Sequence, residues 1–187
     1  GSEMCIRDSR KRVIMNFGKR VFIFSIFVIS VICSGPACAL EAGEAAPDFS
    51  LQSITGEEVS LSDFKGRVVL LKLATTWCPT CQQLSAEISR AGADLAANNV
   101  VFLDVFVKDS KATVEEYVAG AAHPMTFHAL LDDGQVYEAY NIYLIPRLLL
   151  VDADQVVRFD SAGRNVSAED IKAMVRQYQP PAAEQGS

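Results

Sequence analysis

Residues 67–81 read RVVLLKLATTWCPTC. The first eight form a nearly unbroken apolar run bounded by turn signals, the pattern of a central strand buried on both faces. Cys78 and Cys81 follow, with Trp77 directly before them. Then QQLSAEISRAGADLAANN (82–99) repeats Leu84, Ile88, Ala91 and Leu95 at helical spacing and stops at Asn98-Asn99. A strand that feeds through a Cys-x-x-Cys into a helix favours an α/β sheet with covering helices.

The rest of the chain fits that class. DFSLQSITGEEVSLSDF (48–64) alternates around Thr55-Gly56 and predicts a hairpin of Phe49–Gln52 with Glu58–Leu61. VVFLDVFV (100–107) predicts the next strand and SKATVEEYVAGAA (110–122) a helix capped by Ser110. MTFHALLD (125–132) reads as a short strand and GQVYEAYNI (134–142) as a short helix. RLLLVDADQVVRFDSAG (147–163) predicts a second hairpin, which makes the sheet mixed. SAEDIKAMVRQY (167–178) opens with a capping box, Ser167 with Asp170 three on. The element order is β-β-β-α-β-α-β-α-β-β-α, and the tail 179–187 predicts disorder.

The first 39 residues read differently. An apolar run within 20–33 follows Lys11, Arg12, Lys19 and Arg20 and precedes small residues at Ala37 and Ala39. This predicts a secretory leader over 1–39, cleaved after Ala39. The run is short for a membrane span, which takes roughly 20 apolar residues, so a membrane role requires the leader to be retained. Without the leader, six of the 17 basic and two of the 23 acidic residues go, leaving 11 basic against 21 acidic, net −10. Such a domain repels nucleic acid. Cys5, Cys33 and Cys38 go too, so Cys78 and Cys81 become the only cysteines. An exported chain also sits where disulfides persist.

At a helix N-terminus, Cys78 meets unpaired N–H groups and the helix dipole, which favour a thiolate. Pro79 takes the first helical position, where a missing N–H costs nothing. Cys81, about one turn on, can close a disulfide. Cys78 is therefore the expected attacking thiol and Cys81 the resolving one, with exchange through a mixed disulfide. A zinc site needs two more ligands, and the two histidines, His123 and His128, lie far along the chain. They read as loop, surface or core-edge residues. Haem attachment needs His after the second cysteine, where Gln82 stands. The chemistry calls for no cofactor and no metal. Pro146, before the strand 147–151, marks either a plain strand start or a tight turn with a cis peptide.

The strings APDFSL (46–51), VSLSDFKG (59–66), VVLLKLATTWCPTC (68–81), and Pro146 followed by LLVDADQVV (149–157) together resemble the TlpA/ResA-type thioredoxin-like proteins. The resemblance covers about 45–178 and is strongest at the Trp-Cys-x-x-Cys with its downstream proline. It implies a thioredoxin-like fold with an N-terminal hairpin and a β/α insertion around 110–135. It implies that Cys78 and Cys81 are the redox pair and that Pro146 is a cis-proline packing beside them. The backbone of Ile145 would then meet an incoming peptide, with Trp77 as the aromatic neighbour. It implies an exported enzyme that exchanges disulfides with protein substrates, for instance in cytochrome c or copper-site maturation, drawing on a membrane-side electron donor.

Three departures stand out. Leu84 and Lys72 occupy positions where relatives keep acids, and Arg147 follows the proline where a small or hydroxylated residue is usual. A lysine within an apolar strand demands a partner, and Asp104 on the next strand is a candidate. Lys72 is otherwise expected to stabilise a thiolate of the pair, and Arg147 to do the same or to grip an acidic peptide.

Two other function classes compete with disulfide exchange. In a peroxiredoxin-like peroxidase, Thr75, three before Cys78, would contact peroxide. In a Cu(I) carrier, the soft dithiol would bind metal.

Overall fold

The computed structural model describes Leu40, residues 42–121 and residues 123–180. The expected leader 1–39 and the tail from 181 onward lie outside them. The described strands are β1 (Ser50–Ser53), β2 (Glu58–Ser60), β3 (Val69–Ala74), β4 (Val101–Val107), β5 (Thr126–Asp132), β6 (Arg147–Val151) and β7 (Val157–Asp160). The helices are α1 (Pro79–Ala97), α2 (Lys111–Val118), α3 (Gln135–Ala139) and α4 (Ala168–Tyr178). The strands form one mixed sheet in the order β2-β1-β5-β4-β3-β6-β7. β3, β4 and β5 run parallel, and β6 lies antiparallel to β3.

All six residues of β3 and all seven of β4 are buried, because both sheet faces are covered. Val69, Leu71 and Leu73 pack with Leu51, Phe64 and Tyr140 on one face. Leu70 packs on the other with Leu84, Ile88 and Leu95 of α1 and Ile171 and Val175 of α4. Truncating Ile88 to Ala would cost about 2–5 kcal/mol, since α1 is held mainly by this apolar stripe.

The boundaries show where local chemistry overrode pattern. The first hairpin pairs Ser50 with Ser60 and Gln52 with Glu58, the expected register, while β1 runs one residue later than expected and β2 ends one residue early. Leu61 leaves the hairpin and opens a 3₁₀ turn, Leu61–Phe64, entered where Asp63 Oδ2 accepts from the Ser60 N–H. α2 ends at Val118, short of the expected 122, at a turn that includes Gly120. β5 is a full internal strand, parallel to β4 over Val101–Val107 against Thr126–Asp132. The expected α4 capping box forms, with the Asp170 N–H donating to Ser167 Oγ at 3.2 Å and the Ser167 N–H to Asp170 Oδ2 at 3.2 Å. Among the described residues, no helix is long and apolar enough to cross a membrane.

Candidate active site

The parallel arrangement brings the C-terminal ends of β3, β4 and β5 to one edge, where the antiparallel β6 begins. The turn after β3 carries Thr75, Thr76 and Trp77 to this edge and is clamped to the turn after β4. Thr76 donates its N–H to Asp109 Oδ2 at 2.8 Å and its hydroxyl to Asp109 Oδ1 at 2.9 Å. Gln82 Nε2 donates to the Thr76 carbonyl at 2.9 Å, tying the same turn to α1.

Cys78 is the N-cap of α1 and Pro79 its first residue. The Cys78 sulfur does what a capping oxygen does elsewhere. It accepts the Cys81 N–H at 3.4 Å, and the Thr80 hydroxyl lies 3.1 Å away. Both cysteines are free thiols. Cys78 is 7% exposed and Cys81 is fully buried, and they pack with Ala74 and Ile145. The Ile145–Pro146 peptide is cis, and Trp77 stands in solvent.

These surroundings split the two thiols. Burial works against ionisation of Cys78, but hydrogen bonds from Cys81 and Thr80 outweigh it and hold the thiol below its ordinary range. Burial pushes Cys81 up to about 12, reinforced by its hydrogen bond with Cys78, while the Thr75 backbone and the Lys72 charge pull the other way. Cys78 thus ionises more readily than an ordinary cysteine and Cys81 less readily.

Lys72 is completely buried on the α1 side of β3. Its ammonium donates to Asp104 Oδ2 at 2.8 Å and to Ser85 Oγ at 2.8 Å. It also lies 5.6 Å from the centre of the Phe106 ring. Asp104 Oδ1 is buried without a protein partner, and burial raises the carboxyl's pKa against the pull of Lys72. The carboxylate that partners Lys72 is thus delivered by β4, directly across the ladder from it. Leu84 is a core residue of α1.

Arg147 departs from expectation. It is buried on β6, and its guanidinium forks onto Asp160, with Nε at 3.1 and 3.0 Å from the two carboxylate oxygens and Nη2 at 2.5 Å from Oδ2. It also donates to the carbonyl of Tyr140. Its charge is spent bracing the loop before Pro146, so it neither reaches the thiols nor grips a peptide. His128 packs beside Phe64 at 5.5 Å, and His123 stacks on Phe127 at 4.0 Å, both half-buried. No three His, Cys, Asp or Glu side chains cluster as a metal-binding set among the described residues.

Sequence reasoning passed over Thr80 and Asp109. The hydroxyl inside the Cys-x-x-Cys was a readable signal for Thr80. Asp109 had none, because its role depends on β4 ending beside β3.

Known proteins place this arrangement. Residues 42–160 match the AhpC/TSA family. The thiol-disulfide oxidoreductase ResA of Geobacillus kaustophilus is 30% identical over 143 residues, 76% of this chain and 80% of that protein. The thioredoxin-like protein YneN of Bacillus subtilis is 29% identical over 119 residues, 64% of this chain and 70% of that protein. The crystal structure of a thiol:disulfide interchange protein DsbE from Chlorobium tepidum superposes with a TM-score of 0.60 at 27% identity, over 79% of this chain and 99% of that one. The chain thus belongs to the AhpC/TSA family, as a thioredoxin-like thiol-disulfide oxidoreductase of the TlpA/ResA type.

Proposed function

We propose that this oxidoreductase exchanges disulfides with partner proteins outside the cytoplasm, with Cys78 as the attacking thiol and Cys81 as the resolving one. The observation that carries the reading is the capping geometry: a Cys78 sulfur that accepts the Cys81 N–H and is met by the Thr80 hydroxyl, in front of a fully buried Cys81. In the reducing direction, the Cys78 thiolate attacks one sulfur of a partner disulfide. The partner's other sulfur leaves as a thiolate and takes up a proton. Cys81 then gives up its proton and attacks Cys78 Sγ, which breaks the mixed disulfide and releases the second partner thiol. Two electrons pass from the chain to the partner, and a membrane-side dithiol donor would restore them. The positive charge of Lys72 favours the transient Cys81 thiolate. Ile145 packs with Cys78 and Cys81, and in this reading it and the neighbouring Trp77 and Pro146 frame the approach of the partner chain. The leader pattern within residues 1–39 supports export. The peroxidase alternative finds no cation in Arg147, which is committed to Asp160.

Reaction with oxidised glutathione tests the reading. Reduced wild type should end as the Cys78–Cys81 disulfide, Cys81→Ser should stop as a glutathione adduct on Cys78, and Cys78→Ser should stay unreacted. An adduct first formed on Cys81 overturns the assignment. The potential of the couple then sets the direction: about −270 mV marks a reductant and about −120 mV an oxidant.

A further inference from the structure

Large apolar side chains left in water are ordinary when scattered and informative when gathered. Among the described residues, Trp77, Tyr137, Tyr143 and Leu144 are the large hydrophobic side chains left exposed. All lie at the sheet edge that carries Cys78. Trp77 follows β3, Tyr137 sits on α3 just beyond β5, and Tyr143 and Leu144 precede β6. Tyr137 already has company, with Lys108 Nζ 4.8 Å from its ring centre. Trp77, Tyr143 and Leu144, at 71%, 86% and 65% exposure, are the most open.

The loop that displays Tyr143 and Leu144 is pinned from beneath. Tyr140 is fully buried, and its hydroxyl donates to the Pro47 carbonyl at 2.7 Å. Ile142 is in the core. Arg147, anchored on Asp160, holds the Tyr140 carbonyl. Ile145 turns inward against Cys78 and Cys81. Beside Leu144 lies the Gly163 turn, where an added Cβ would come within 3.4 Å of Leu144 Cβ. Two apolar side chains are thus held outward while their neighbours on both sides are fixed inward. A surface ordered in advance spends little entropy when it binds.

Building on the disulfide-exchange reading, we propose that Tyr143 and Leu144, on the loop braced by Arg147 and Asp160, form a recognition ledge. It selects protein segments that carry bulky apolar residues beside the reacting cysteine. The occupant follows from position. Ile145, the next residue in the chain, touches the thiols, so whatever covers Tyr143 and Leu144 during exchange is the polypeptide whose disulfide is being attacked. The net −10 charge of residues 40–187 disfavours an acidic segment there.

Two synthetic peptides, each a disulfide-linked homodimer, test this. One has its cysteine flanked by Leu and Phe and the other by Ser. Reduced protein converts each dimer to two thiol peptides and itself to the Cys78–Cys81 disulfide. Wild type should react about tenfold faster with the apolar peptide, the range of a central apolar contact. In Tyr143→Ser/Leu144→Ser the ratio of the two rates should fall to about one. Equal rates in wild type, or a ratio that survives the double substitution, overturn the ledge. Oxidised glutathione separates the two readings: exchange with it alongside a peptide ratio near one removes the ledge alone, and no exchange with any disulfide removes both.

Discussion

Lys72 and Asp104 face each other across the β3–β4 ladder, and the ammonium of one lies 2.8 Å from the carboxylate of the other, both inside the protein. Removing one member of such a pair leaves a buried charge without its partner. Asp104→Leu should therefore cost about 3–5 kcal/mol. Lys72→Met/Asp104→Leu should recover most of that loss, because two apolar side chains need no partner. Urea midpoints of the three reduced proteins check this, and a double variant as unstable as the single would show that the pair itself stabilises the fold.

The same lysine touches the redox chemistry through charge. It favours the Cys81 thiolate that forms when the mixed disulfide resolves, whereas the resting thiol, pushed up to about 12, stays protonated at neutral pH. Lys72→Met should therefore slow the second step of exchange and leave the neutral-pH potential of the couple almost unchanged. Single-turnover decay of a glutathione adduct on Cys78 reads the first and equilibration with glutathione buffers the second; an unchanged rate of resolution would contradict it.

Thr80 is exposed, yet its hydroxyl lies 3.1 Å from Cys78 Sγ. Thr80→Val keeps the shape and deletes the donor, so the Cys78 pKa should rise. The alkylation profile of Cys78 against pH should move to higher pH. Its neutral-pH rate should fall roughly threefold to tenfold, for a hydrogen bond of about 1 kcal/mol. Thr80→Ser should restore it.

What could be read from sequence and what could not divide along physical lines. The Cys78–Cys81 pair, the buried strand before it and the helix after it were legible because each is a local pattern. Asp104 could be named as a partner for Lys72 because a charge in an apolar strand requires one. The register that pairs them depends on non-local strand alignment. Asp109 was illegible because its clamp on Thr76 spans 33 residues of chain. Arg147 was misjudged because an arginine beside a reactive site looks available until its carboxylate, 13 residues on, is seen. The 3₁₀ turn at Leu61–Phe64 had a signal in Ser60 and Asp63, but the hairpin alternation ran over it.

Arg147→Lys tests the brace. Lysine keeps the charge but cannot fork onto Asp160 while also reaching the Tyr140 carbonyl. Stability should fall by about 1–2 kcal/mol. Amide exchange should quicken at residues 141–145 more than in α4. Uniform change across the domain would mean that the pair supports the fold as a whole and not this loop.

Burial sets the last expectation. Cys81 is pushed from an ordinary value near 9 up to about 12. Its ionised form is thus disfavoured in the folded state relative to the unfolded chain. The unfolded chain releases this proton first, so the reduced protein loses stability as pH rises from about 9 toward 12. Cys78 contributes the opposite sign. Its folded pKa is depressed, so its stabilisation is full above the ordinary value and is lost as pH falls through the depressed one. Above pH 9 the Cys78 contribution is constant, and Tyr140, also pushed up by burial, adds to the Cys81 effect from about pH 10 in both wild type and Cys81→Ala. Urea midpoints of reduced wild type should therefore drop between pH 8.5 and 10.5 more steeply than those of Cys81→Ala, at about 1.4 kcal/mol per pH unit for one such group. Parallel curves would mean that Cys81 is far less shielded than its burial implies. Native alkylation gives the same contrast without unfolding: at pH 8 Cys78 should be modified and Cys81 left intact.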